Sequence, residues 1–214
     1  MIVVVGTPRS GTTFVVNWIA NNNPTHTLMQ PDDLGELFQP YFYTTDNHEK
    51  ETLDRISLLT DSSIFKLHTG VEMSPQVWKL IENIPVIVVR RDDRLGQFIS
   101  FGLGYYTGNW VTYNASNSSD IEPFHYKKEW FDDLAQRLIE LDTRLPTLNI
   151  EQTIWYEDIP YMKLNGSLPQ KQNNGTNADK MKSILNLDEF LNWYDKFENA
   201  RQPKGLHETG YAVV

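Results

Sequence analysis

Four groups of residues in this 214-residue sequence have the types and spacings that chemistry needs. The first is Gly6-Thr7-Pro8-Arg9-Ser10-Gly11-Thr12-Thr13, in which two glycines bracket four residues. Glycine lets a backbone wrap until several N–H groups face one anion, a helix that follows adds partial positive charge, and threonine hydroxyls add donors. In loops that hold a nucleoside triphosphate, a lysine after the second glycine reaches the terminal phosphates and the next Ser or Thr holds magnesium. Here Thr12 stands in the lysine's place, and the cation, Arg9, lies inside the loop. The second group is Arg90-Arg91-Asp92-Asp93 with Ser100 beyond it. Arginine offers a planar fork that fits a phosphate, and a hydroxyl one to two helical turns further on can complete the cradle. The last two are proton acceptors: Glu36 in Gly35-Glu36-Leu37-Phe38, and His68 in Phe65-Lys66-Leu67-His68. A carboxylate or an imidazole beside a bound hydroxyl is what general-base catalysis requires.

The elements that would position these groups follow from the hydrophobic pattern. Ile2–Val5 is a short continuous apolar run, as expected of a strand buried on both faces. Thr12–Ala20 places Val15, Trp18 and Ile19 on one helical stripe, and the run Asn21-Asn22-Asn23-Pro24 stops it. The anion loop therefore joins a buried strand to a helix. Further strands are expected at 26–29, 64–68, 85–89 and 152–156, and helices at 47–59, 75–84, 94–103, 122–145 and 187–197. Segments 108–122 and 163–178 are rich in Asn, Ser and Gly and read as loops. Lys66 and His68 alternate with Leu67, so they share one face of their strand. Strands alternating with helices predict an α/β fold of P-loop type, with a mostly parallel central sheet and helices on both faces.

The order Pro8-Arg9-Ser10-Gly11-Thr12-Thr13 resembles the phosphosulfate-binding loop of sulfotransferases that use 3′-phosphoadenosine 5′-phosphosulfate (PAPS). Val86 to Ser100 is similar to the segment in which that family sets an arginine at a strand end and a serine on the next helix, both holding the donor's 3′-phosphate. Arg90-Arg91-Asp92, Gln97 three before Ser100, and Thr107-Gly108-Asn109-Trp110 resemble the bacterial trehalose-sulfotransferase-like branch. Ser100 stands ten positions after Arg90 and nine after Arg91, both longer than the family's spacing, so either arginine can be the phosphate ligand. Tyr156-Glu157-Asp158-Ile159 is similar to a scaffold motif of the family, and Arg201-Gln202-Pro203-Lys204-Gly205 is faintly similar to its donor clamp.

The resemblance implies a transfer of sulfuryl from PAPS to a hydroxyl acceptor, a small molecule or a glycan, with 3′-phosphoadenosine 5′-phosphate (PAP) as product and no metal. Pro8, Arg9, Ser10, Gly11, Thr12 and Thr13 would hold the 5′-phosphosulfate, and Arg90 or Arg91 with Ser100 the 3′-phosphate. Glu36 matches the carboxylate base of the trehalose-type and Golgi-type branches, and His68 matches the histidine base of the cytosolic one. Tyr41-Phe42-Tyr43, Tyr105, Tyr106 and Trp110 offer aromatic faces for an acceptor or for plain packing. A nucleotide-dependent kinase is the rival enzyme, with Asp92-Asp93 as its metal-binding carboxylates, and a binding module without catalysis is the non-enzyme rival.

Composition bounds these readings. The length suits one domain over residues 1–214. A net charge of −9, from 28 acidic and 19 basic residues, argues against a nucleic-acid partner, which demands basic surface. The absence of cysteine removes disulfides, thiolate metal sites and a cysteine nucleophile. The N-terminus runs straight into a strand instead of a secretion signal, and no apolar stretch is long enough to span a membrane. The expected location is the cytoplasm, and the sequons at Asn114, Asn117, Asn165 and Asn174 are read as products of an Asn-rich composition.

Overall fold

The computed structural model describes residues 1–29, 48–69, 75–108, 110, 122–161 and 176–201. Five strands form one sheet in the order β2-β3-β1-β4-β5, with every pairing parallel. They are β1 (Ile2–Gly6), β2 (Thr27–Leu28), β3 (Ser63–His68), β4 (Val86–Arg90) and β5 (Ile150–Trp155). The helices are α1 (Thr12–Asn22), α2 (His48–Ser57), α3 (Pro75–Ile81), α4 (Arg94–Thr107), α5 (Lys128–Arg144), α6 (Asn177–Met181) and α7 (Leu187–Arg201).

The two-residue period of the strands builds two cores. Val3 and Val5 of β1, Phe65 and Leu67 of β3, and Val86 and Val88 of β4 face α3 and α5, where they meet Val77, Trp78, Ile81 and Leu141. Val4, Ile64, Val89 and Ile154 face the other way, onto Val15, Val16 and Ile19 of α1. Helices therefore cover both faces, which is why β1 and β4 are apolar without alternation. A third core lies between α4, α5 and α7. Phe98 there stacks on Phe131 with centroids 4.5 Å apart and meets Phe197 edge-on at 5.3 Å. Among the described residues, no helix is long and apolar enough to cross a membrane.

Two expectations need correction. The helix expected over 122–145 begins only at Lys128. Pro123 disfavours a helix interior, and Phe124 is drawn into a bridge with Ile184, with hydrogen bonds Phe124 N–H to Ser183 O (2.8 Å) and Leu185 N–H to Phe124 O (2.8 Å). The polar stretch expected as a loop over 163–178 ends in α6. Thr176 and Asp179 form a reciprocal capping box that starts this helix.

Candidate functional site

Parallel strands point their C-terminal ends the same way, and β3 and β4 lie on opposite sides of β1. That change of side is where open α/β sheets leave a crevice for ligands. Register brings the named residues to it: Gly6 is level with His68 of β3 and with Val89 of β4, and Arg90 is level with Trp155 of β5.

The loop between β1 and α1 is tightly determined. Ser10 donates from its backbone N–H (3.2 Å) and its Oγ (2.7 Å) to the Thr7 carbonyl, closing a turn. Gln97 of α4, fully buried, donates from Nε2 to Thr7 Oγ1 (2.7 Å) and to the Pro8 carbonyl (2.8 Å). Arg9 has φ 62° and Gly11 φ 92°, both left-handed. Glycine is required at the second position. A Cβ there would lie 2.6 Å from Ile159 Cδ1 and 2.9 Å from Tyr156 Cδ2. No side chain caps α1, and its first turn carries no acidic residue. Its leading amides and partial positive charge therefore stay available to an anion.

Arg9 and Ser100, from the two separate sequence groups, are in contact: Arg9 Nε donates to Ser100 Oγ at 2.8 Å. Arg9 Nη1 donates to the Trp110 carbonyl. Strand parity separates the two arginines that follow β4. Arg90 continues the Val86–Val88 face, so it pairs with Asp142 of α5 (3.2 Å) and lies over Trp155 (5.4 Å), away from the loop. Arg91 turns to the α1 side. Its Nη1 reaches the Arg9 carbonyl (3.4 Å), its Nη2 pairs with Asp93 Oδ2 (3.0 Å), and its guanidinium lies 4.5 Å over Tyr156. Burial, partly relieved by Tyr156 and reinforced by the Arg91 charge, lowers the pKa of Arg9.

On the β3 side, Lys66 and His68 share a face and both reach the start of α1. Thr12 Oγ1 and His68 Nε2 share a hydrogen bond of 2.7 Å, and Lys66 Nζ donates to Thr13 Oγ1. Below the loop, Asp93 caps α4 by accepting from Gly96 N–H (2.9 Å), and Glu157 accepts from the amides of Asp92 (3.1 Å) and Asp93 (3.3 Å). Glu157 thus holds the turn after β4, a scaffold role. Exposed aromatics extend from Trp110, whose carbonyl accepts from Arg9: Tyr105 meets Trp110 edge-on (4.8 Å) and stacks on Trp130 (5.6 Å), and Tyr106 stacks on Phe124 (4.6 Å).

Sequence reasoning gave no site role to Gln97, Asn177 or Lys180. Asn177 Nδ2 donates to both Asp93 oxygens (3.0 and 2.9 Å), which brings α6 to the site. Burial, then the charges of Arg91 and Arg9, lowers the pKa of Lys180. The Thr176-x-x-Asp179 capping pattern was the one signal that could have located α6. Glu36, Tyr41, Phe42, Tyr43 and Lys204 lie outside the described residues. Among the described residues, no group of three His, Asp or Glu is arranged to hold a metal ion. Comparison of the chain with family models, with curated proteins and with solved structures gives no match.

Proposed function

We propose that the chain is a P-loop-type sulfotransferase that uses PAPS as donor and a hydroxyl compound as acceptor. The contact between Arg9 and Ser100 carries this reading. The Pro8–Thr13 loop and the segment that ends in Ser100 each resemble a donor-binding motif. They lie 91 residues apart in sequence, and the fold brings their key side chains to 2.8 Å. The surroundings suit a phosphorylated anion: an uncapped helix start, two arginines, and Arg91 Nε buried without an acceptor among the described residues.

PAPS would supply an activated sulfuryl group, and the bond from its sulfur to the 5′-phosphate oxygen is the one that breaks. The loop amides, Arg9 and the hydroxyls of Thr12 and Thr13 bind the 5′ end and stabilise charge growing on the leaving oxygen. His68 and Lys66 orient those two hydroxyls. Arg91 faces the 3′-phosphate. Glu36 accepts the acceptor's hydroxyl proton as its oxygen bonds to sulfur in line, leaving a sulfate ester and PAP. Tyr105, Tyr106 and Trp110 offer the acceptor flat apolar surface beside the loop. The kinase reading is weaker, because Thr12 replaces the phosphate-reaching lysine and both Asp93 oxygens already accept hydrogen bonds from Asn177, Gly96 and Arg91.

Thermal unfolding with PAP in EDTA tests the reading. A ligand at 100 times its Kd stabilises by about 2.7 kcal/mol, or roughly 5–10 °C for a chain of this size. PAP should reach this without magnesium, and ATP with magnesium should give far less. Equal shifts for the two would overturn the proposal.

A further inference from the structure

Asn177 and Lys180 are three residues apart, one turn of helix, so they share a face of α6. That face is fixed against the start of α4. Asn177 is bonded to both oxygens of Asp93, and Asp93 also takes Arg91 Nη2 and the Gly96 amide. The fit is close enough to require glycine at 96. A Cβ there would lie 2.0 Å from Asp93 Oδ2, 2.6 Å from Arg91 Nη2 and 2.7 Å from Asn177 Oδ1.

Charge at this junction does not balance. The charges of Arg91 and Arg9 both repel that of Lys180 here, against two carboxylates: Asp93, paired with Arg91, and Glu157 on the Asp92 and Asp93 amides. Asp179, next to Lys180 in sequence, gives its oxygens to Thr176 and Lys182 instead. The Arg91 side chain is only 9% exposed, yet its Nε meets no acceptor among the described residues. A buried guanidinium N–H is costly to leave unmade. Lys180 is partly buried beside two other cations, in a chain whose net charge is −9. An anion at this place would satisfy Arg91 and offset the mutual repulsion of all three groups.

We infer that Lys180 and Arg91 together bind the second phosphate of a bisphosphorylated nucleotide, the one not held by the Gly6–Thr13 loop, and that α6 is a specificity element of the site. This rests on the donor reading above and extends it to a helix that carries none of the donor motifs. The loop and Arg9 take one phosphate, and Arg91, which reaches the Arg9 carbonyl, stands next to it on the α6 side. Lys180 closes that side.

Calorimetric titration in EDTA tests this with two probes: PAP, and adenosine 5′-monophosphate (AMP), which lacks the 3′-phosphate. Wild type should bind PAP more tightly than AMP. Lys180→Gln should weaken PAP by about ten- to hundredfold, the worth of one charge-assisted hydrogen bond, and AMP by less than about threefold. Lys180→Arg should keep most of the affinity for PAP. Retained AMP binding also reports that the variant is folded. If Lys180→Gln weakens both ligands equally, or neither, while wild type still prefers PAP, the role of Lys180 is overturned and the donor reading stands. A wild type without preference for PAP overturns the donor reading and this inference with it.

Discussion

Arg9 allows stability and binding to be separated at one position. Its backbone is left-handed, at φ 62°, which costs a residue with a Cβ about 1–2 kcal/mol. Arg9→Ala and Arg9→Gly both remove the guanidinium with its bonds to Ser100 Oγ and the Trp110 carbonyl, but only glycine also releases the backbone. The lost bonds are offset in the unliganded protein. Burial disfavours the cation and the nearby Arg91 charge adds to this, while Tyr156 relieves part of it. Arg9→Ala should therefore change unliganded stability by no more than about 1 kcal/mol, less than the usual worth of charged hydrogen bonds. Arg9→Gly should be about 1 kcal/mol more stable than Arg9→Ala, or roughly 2–4 °C in Tm. Donor affinity should behave differently, falling by about ten- to hundredfold or more in both variants. Calorimetric melting without ligand and titration with PAP give the two numbers. An Arg9→Gly protein that melts many degrees below wild type would make Arg9 a structural residue. Unchanged PAP affinity would remove it from the site.

Gly11→Ala should lose about 2 kcal/mol or more, because the new Cβ meets Ile159 and Tyr156 at a positive φ; a variant that melts with wild type would contradict that packing. Glu36→Gln should keep PAP affinity while turnover falls by about 10²–10⁴-fold, and His68→Ala should lose less. The opposite ranking in a PAPS turnover assay would move the base to His68. Burial by itself would raise the pKa of Asp93, but the hydrogen bonds from Asn177, Gly96 and Arg91 outweigh it and hold the pKa below the usual carboxylate value. Its contribution is thus fully present above about pH 4 and is lost as pH falls through the lowered value. Protection of the α6 amides, taken against their intrinsic exchange, should fall across that acid window, and Asp93→Asn should remove the part of the fall not owed to the Asp179 cap. An α6 whose protection is flat with pH would show that Asp93 does not hold it.

The start of the fold was legible because its signals are local. Ile2–Val5 is continuous and apolar, glycines flank the turn, and Val15 and Ile19 mark the buried stripe of α1. The shared direction of Lys66 and His68 was legible for the same reason, since alternation along a strand needs no tertiary knowledge. The difference between Arg90 and Arg91 was not. It depends on where β4 ends, which is at Arg90 paired with Trp155 of β5, and on which face of the sheet α1 covers. The late start of α5 was hidden because Phe124 is claimed by Ile184, sixty positions on. Gln97 stands in the sequence as part of a motif resemblance, with nothing to say what its amide holds. Its role appears once α4 lies against the loop and its amide meets Thr7 and Pro8. Lys180 is harder still, being one lysine in an Asn-rich stretch until Asn177 ties α6 to Asp93.

The central claim, that this loop and its arginines form a PAPS site, is tested most directly by the crystal structure of the chain with PAP. The 5′-phosphate should lie on the Gly6–Thr13 loop, within hydrogen-bond distance of Arg9, and the 3′-phosphate against Arg91 and Lys180, with Arg90 still paired to Asp142. A nucleotide seated elsewhere on the sheet edge, or one whose 3′-phosphate points to solvent, would contradict it.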